Sequence, residues 1–302
     1  MILTVTPNAA LDVTYTVDRI RPDSVHRVGS VRRRAGGKGI NVARMLHALG
    51  EDVRAVTALG GVVGAAVAHD LVEAGIPAGL ASIDGETRCT TTILSAEDGS
   101  VTLFNEPGPR FTAADWTLLV DVVRCHAAEV VVCSGSLPPG APPDGYTRLL
   151  GSGKSILDTS GDALLAGLTA EPSVVKPNAA ELRDVTGMAD PETAAAELRK
   201  AGAGAVVVSL GVDGLIAVTG EGTWHAAPSS VLAGNSTGAG DAVVAALALG
   251  LRDGEPWPQL LRRAVALSGA AVLGPLAGDV DLAHYHRELA HPKESHAARF
   301  RR

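Results

Sequence analysis

The sequence predicts an α/β fold, a mostly parallel central sheet with helices on both faces and a small β-sheet lid beside it. Three observations predict it. Short β-branched runs alternate with helical periods from about residue 35 onward. Helix starts are marked by caps. Two segments, 11–34 and 84–105, break the alternation, with β-like runs and no crossover helix.

In chain order, Val42, Met45, Leu46 and Leu49 recur at helical spacing within 40–49, and Gly50 stops that helix. A strand at 53–58 and a helix at 62–74 follow. Further strands read at 129–134, 155–158, 174–176 and 205–209. Between them, Thr112 with Asp115 forms a capping-box pattern, and Asp190 precedes Pro191 at a first helical position. Thr90–Leu94 and Ser100–Phe104 flank Glu97-Asp98-Gly99, a hairpin signal. The expectation is one domain over 1–302, with a core of 1–10, 35–83 and 106–302 and a lid of 11–34 and 84–105. One face of such a lid needs cover, which points to a homodimer through it. The tail from His291 to Arg302 reads as disordered, and no internal repeat is present.

The formal charge of −7 argues against a nucleic-acid backbone as partner. Any bound anion must therefore be held by local groups. Cys89, Cys125 and Cys133 are odd in number and lack CxxC spacing, which suits a reducing cytoplasm. The first residues lack the basic and apolar regions of a signal peptide, and no apolar run reaches membrane-spanning length. A cytoplasmic protein without membrane contact is expected.

Two glycine clusters mislead. Gly151-Ser152-Gly153-Lys154-Ser155 looks like a P-loop, yet Arg148 stands where its first glycine belongs, and a strand follows instead of a helix. It reads as a loop after a helix end. Gly37-Lys38-Gly39 is no dinucleotide fingerprint, because the third glycine would be Val42.

Three other segments fit phosphate chemistry. Asn235-Ser236-Thr237-Gly238-Ala239-Gly240-Asp241 runs into a long uncharged helix, whose first-turn amides and small residues admit an anion. Asp241 there is either an N-terminal cap or a reacting carboxylate. Gly36-Gly37-Lys38-Gly39-Ile40-Asn41 opens the 40–49 helix, as a tight turn or as a sugar site with Lys38 and Asn41 as polar contacts. Lys176-Pro177-Asn178-Ala179-Ala180-Glu181 follows a strand and opens a helix. Its Asn178 and Glu181 suit either a cap or a hydrated Mg²⁺ on nucleotide phosphates.

Together these segments resemble the PfkB (ribokinase-like) family of carbohydrate kinases. Thr6-Pro7-Asn8-Ala9-Ala10-Leu11-Asp12, Ser134-Gly135-Ser136-Leu137-Pro138 and Ser209-Leu210-Gly211 join them in the family's order. The first departs from the Leu-Asn-Pro that relatives often carry. The resemblance implies a transfer of the γ-phosphoryl of ATP, with Mg²⁺, to a sugar. Asp241 would be the base, and the amides of Gly238, Ala239 and Gly240 the anion hole. Asp12, Gly37 and Asn41 would hold sugar hydroxyls. Lys176, Asn178, Ser209, Gly211, Gly214 and Gly240 would meet ATP, and Asn178 and Glu181 would organise the metal.

Asn105-Glu106-Pro107-Gly108-Pro109 and Leu157-Asp158-Thr159-Ser160-Gly161 are similar to the branch acting on ketohexose phosphates. That similarity implies fructose 1-phosphate as acceptor, with tagatose 6-phosphate and fructose 6-phosphate as alternatives. Lys38 and Arg88 would hold the existing phosphate, with Arg27 and Ser136 adding contacts. Arg32-Arg33-Arg34 reads instead as a solvated basic strand edge. A non-catalytic sugar-phosphate or nucleotide sensor is the competing class.

Overall fold

The computed structural model describes residues 1–290 and 298–299. In chain order the strands are β1 (Ile2–Thr6), β2 (Ala10–Val17), β3 (Ser30–Gly36), β4 (Val53–Leu59), β5 (Ala78–Ser82), β6 (Arg88–Ser95) and β7 (Val101–Asn105). There follow β8 (Val130–Ser134), β9 (Lys154–Asp158), β10 (Val174–Val175), β11 (Ala205–Ser209), β12 (Leu215–Thr219), β13 (Gly222–Ala226) and β14 (Ala298–Arg299). The helices are α1 (Lys38–Ala48), α2 (Gly61–Glu73), α3 (Ala113–Arg124), α4 (Gly145–Leu150) and α5 (Gly161–Gly167). They continue with α6 (Ala179–Thr186), α7 (Pro191–Lys200), α8 (Ala239–Asp253), α9 (Trp257–Val272) and α10 (Leu282–Ala290).

The large sheet runs β14-β13-β12-β11-β10-β9-β8-β1-β4-β5. From β11 to β5 every pairing is parallel, and β12 and β13 extend the sheet antiparallel. Burial on both faces explains why the strands read as unbroken apolar runs. In β8, Val130 and Val132 join the core beneath α1, α2, α8, α9 and α10, while Cys133 joins the core beneath α3 to α7. Cys133 is a free thiol, as its apolar surroundings suggest, and burial pushes its pKa up.

Helix α8 is the best-buried helix, enclosed from Asp241 through Gly250. That is why it carries no polar face. Gly250 allows α9 to approach, since a Cβ there would stand 2.5 Å from Leu260 Cγ.

The lid is a separate sheet, ordered β3-β2-β6-β7. Gly99, with φ 68°, turns its β6–β7 hairpin at the predicted place. Leu11, Val13 and Ala35 pack into the core beside α2. The opposite face, which carries Asp12, Thr14, Thr92 and Leu103 in register, has no such cover.

The disordered tail expected from His291 lies outside the described residues, apart from Ala298–Arg299, which pair with β13. Among the described residues no helix is long and apolar enough to cross a membrane.

Candidate active site

The site lies where the carboxyl ends of β1, β8, β9 and β10 meet the first turns of α1 and α8. These two helices pack together and start alike, each from a glycine with positive φ (Gly37 109°, Gly238 90°) and no side-chain cap. Their leading amides have no side-chain acceptor, although the Ala239 amide donates to the Ser236 carbonyl at 3.2 Å. Asn41 on α1 donates from Nδ2 to Asp241 Oδ2 of α8 at 2.8 Å.

Asp241 is 6% exposed. Burial, chiefly, and the nearby Asp158 push its pKa up to about 7, while Asn41, Lys38 and Lys176 pull the other way. Lys38 and Lys176 both meet Asp158 Oδ1, at 3.3 and 3.2 Å. For Lys38, burial favours the neutral amine, but Asp158, Glu181 and Asp241 outweigh it and raise the pKa. Lys176 reaches over the first turn of α8, where a Cβ on Gly240 would stand 3.5 Å from its Nζ.

Toward the lid, Asp12 lies across Gly36, where any Cβ would fall 2.1 Å from the carboxylate. Burial pushes its pKa up to about 6 despite Arg88, Arg34 and Arg44. Arg88 is anchored by carbonyls: Nε and Nη2 donate to Asn8 at 3.2 and 3.1 Å, and Nη1 donates to Glu106 at 3.0 Å. The Asn8 amide reaches Ser136 Oγ at 3.2 Å and the Pro107 carbonyl at 3.1 Å. The lid arginine, the loop after β7 and the loop after β8 thus share one tie.

On the other side of α8 opens a cleft of about 420 Å³. Asn178, Ser209, Gly211 and Gly214 form one edge, and Ala239 and Gly240 close its inner end. A parallel bridge joins Asn178 to Ser209. Leu232, Val265 and Val272 give the far wall an apolar surface suited to a flat ring. Asn178 and Glu181 cap each other: Glu181 N donates to Asn178 Oδ1, and Asn178 N donates to Glu181 Oε2, both at 2.8 Å. They fit Mg²⁺ through water or phosphate oxygens, since that ion keeps most of its waters and needs few protein ligands. Among the described residues no group of three acidic, His or Cys side chains could hold a metal alone.

Most of the predicted residues thus gather around α8: Asp241, Gly238, Ala239, Gly240, Lys38, Asn41 and Lys176 at its start, and Asn178, Ser209, Gly211 and Gly214 along the cleft. Arg27 does not join them, being exposed in the loop between β2 and β3. The basic run needs a correction. Arg32 and Arg33 are exposed as expected, but Arg34 shares the face of Asp12, is 11% exposed and pairs with Asp279 at 3.0 Å. Arg32 lies on the same face but further along the strand, whereas Arg34 sits at the root of the lid beside Asp12 and Asp279. Asp158, Asn8 and the apolar wall of the cleft were missed, although Asp158 ends a predicted strand, where ligands of parallel sheets gather.

The pattern of pfkB family carbohydrate kinases matches residues 5–282. The chain belongs to this family. It is 39% identical, over 91% of each chain, to a 1-phosphofructokinase of Haloferax volcanii. The solved phosphofructokinase-2 of Escherichia coli superposes with a TM-score of 0.90 at 29% identity, covering 96% of this chain and 98% of its own. A ribokinase of Thermotoga maritima, with a TM-score of 0.77 and 20% identity over 96% of this chain and 99% of its own, shares the fold. The protein is a sugar kinase of the ribokinase-like fold, and ATP is its phosphoryl donor.

Proposed function

We propose that this kinase transfers the γ-phosphoryl group of ATP to the 6-hydroxyl of fructose 1-phosphate, giving fructose 1,6-bisphosphate and ADP. One observation carries the reading: a buried carboxylate, Asp241, stands at the amide end of α8 between the lid-side cluster and the apolar cleft. Asp241 accepts the hydroxyl proton as the sugar oxygen bonds to the γ-phosphorus. The bond from that phosphorus to the β,γ-bridging oxygen breaks, and ADP leaves with its electron pair. The amides of Gly238, Ala239 and Gly240, with Lys176 above them, balance charge on the moving phosphoryl. Mg²⁺ on the donor phosphates, reached by Asn178 and Glu181 through water, would neutralise charge there.

Asp12, Gly37 and Asn41 hold the sugar in this reading. Arg88, with three of its five N–H groups spent on carbonyls, keeps two for the existing phosphate, alongside Lys38 and Ser136. The chain works as one kinase unit in the cytoplasm. Two copies join through the open lid face, where Val101 and Leu103 are 45% and 46% exposed. Sedimentation at micromolar concentration should find a dimer; a monomer removes that part of the proposal.

The acceptor is tested by comparing kcat/KM for fructose 1-phosphate, fructose 6-phosphate and tagatose 6-phosphate. Fructose 1-phosphate should lead. Preference for a 6-phosphate would move the phosphate subsite and keep the chemistry, whereas binding of ATP and sugar phosphates without turnover would make the protein a sensor.

A further inference from the structure

The least explained group near α8 is Asp158, at the carboxyl end of β9. Its side chain is 1% exposed, and two ammonium groups converge on one of its oxygens. They come from distant places, Lys38 from the start of α1 and Lys176 from the end of β10. The other oxygen, Oδ2, is buried without a hydrogen-bond partner. A carboxylate buried only to hold the fold would be expected to fill both oxygens, because an unfilled one costs stability. Two cations sharing one anion leave a net positive charge, and Lys176 is aimed at Gly240, where the cleft ends.

We propose that Asp158 is a positioning residue for phosphoryl transfer, holding Lys38 and Lys176 together at the seam between the nucleotide cleft and the sugar side. The proposal rests on Asp241 acting as the base. Without Asp158, two ammonium groups on flexible stems would repel each other and spread, and neither would stay over the first turn of α8. The groups facing Asp241 are Lys38 and Asn41 from α1, Lys176 after β10 and Asp158 from β9. Glu181 of α6 acts on Lys38, and Asp158 acts on the Tyr146 hydroxyl of α4. Of the groups facing Asp241, Asp158 alone raises its pKa by charge.

The test is Asp158→Asn, which keeps shape and removes charge. The pH profile of kcat is read at saturating ATP and fructose 1-phosphate, beside the native enzyme and Asp241→Asn. We expect kcat to fall roughly tenfold to a hundredfold, less than the loss of an oxyanion donor at the upper end of its range. The acidic limb should move to lower pH, because a negative neighbour of the base has gone. A merely structural role would lower yield or melting temperature and leave the limb in place; that result overturns the proposal. Should Asp158→Asn fail to fold, Lys38→Met gives a second reading. Losing a positive neighbour should move the limb to higher pH, and an unmoved limb again refutes the shared-charge arrangement. If the native limb persists in Asp241→Asn, the base assignment itself fails, and that outcome is distinct from the other two.

Discussion

The two ends of helix α8 carry the same kind of unfinished hydrogen bonding and treat it in opposite ways. At the C-terminal end the chain completes it. Gly254, in the left-handed region at φ 68°, donates back to the Gly250 carbonyl. Lys154 donates to the carbonyls of Leu251 at 2.7 Å and Arg252 at 3.2 Å. The Arg252 guanidinium in turn pairs with Glu51 at 2.6 Å and Asp253 at 2.7 Å. At the N-terminal end no side chain caps the amides, and a buried acid, two lysines and a cleft surround them. Each end also has a glycine-rich segment with a lysine nearby, so composition does not separate them. What separates them is whether the orphan groups of the helix are satisfied from within the chain. An open helix end beside a buried acid, two lysines and a cleft is suited to a ligand.

The largest test of that contrast is Asp241→Asn. The amide has the shape of the acid and can still accept from Asn41, so the fold and ATP binding should persist. With no base to take the hydroxyl proton, kcat should fall by roughly a thousandfold, inside the range general bases supply. The pH profile sharpens the point. Asp241 is pushed up to about 7, so it holds its own proton below that value and is free to accept another above it. Native kcat should therefore rise with pH through about 7 and level off, and Asp241→Asn should lose that limb. Unchanged turnover in the variant would leave the acid a buried partner of Asn41 and the open end a structural accident.

How far the sequence disclosed these arrangements follows from the distance over which each is decided. Caps are settled within three residues, so Thr112 with Asp115, Asn178 with Glu181 and Asp190 ahead of Pro191 cap their helices where the pattern placed them. Helices α1 and α2 match the predicted spans to within two residues, because Gly50 and the apolar period are local. The lid was legible through its hairpin and its missing crossover helix. The β12–β13 hairpin was not, since Gly220 and Gly222 and its small or polar residues blur the alternation.

Side-chain partnerships across the fold were the least visible. Asn41 meets Asp241 across 200 positions, Lys38 meets Asp158 across 120, and Arg34 meets Asp279 across 245. No spacing rule reaches that far. Motif resemblance supplied Asn41 and Asp241, but it gave Asp158 no role and left Arg34 in a solvated edge. Asn178 and Glu181 show the intermediate case, where one local pattern serves a cap and remains compatible with a hydrated ion.

The smallest predicted effect probes the closed end of α8. Lys154→Met removes a cation from the last carbonyls of the helix and leaves the stem in place. Water can reach these groups, because Lys154 is exposed, so the loss should be about 1 kcal/mol, as for a surface cation at a helix C-terminus. In a chain of this size that lowers Tm by roughly 2–4 °C. Helix α8 keeps its Gly254 closure and its buried length, and its N-terminal end should not sense the change, so kcat and both KM values should match the native enzyme. The Gly151–Ser155 segment looks like a phosphate loop, and a raised KM for ATP in this variant would mean that it binds one. An unaltered KM with a lower Tm leaves Lys154 as the cap of a helix whose opposite end is reserved for the nucleotide.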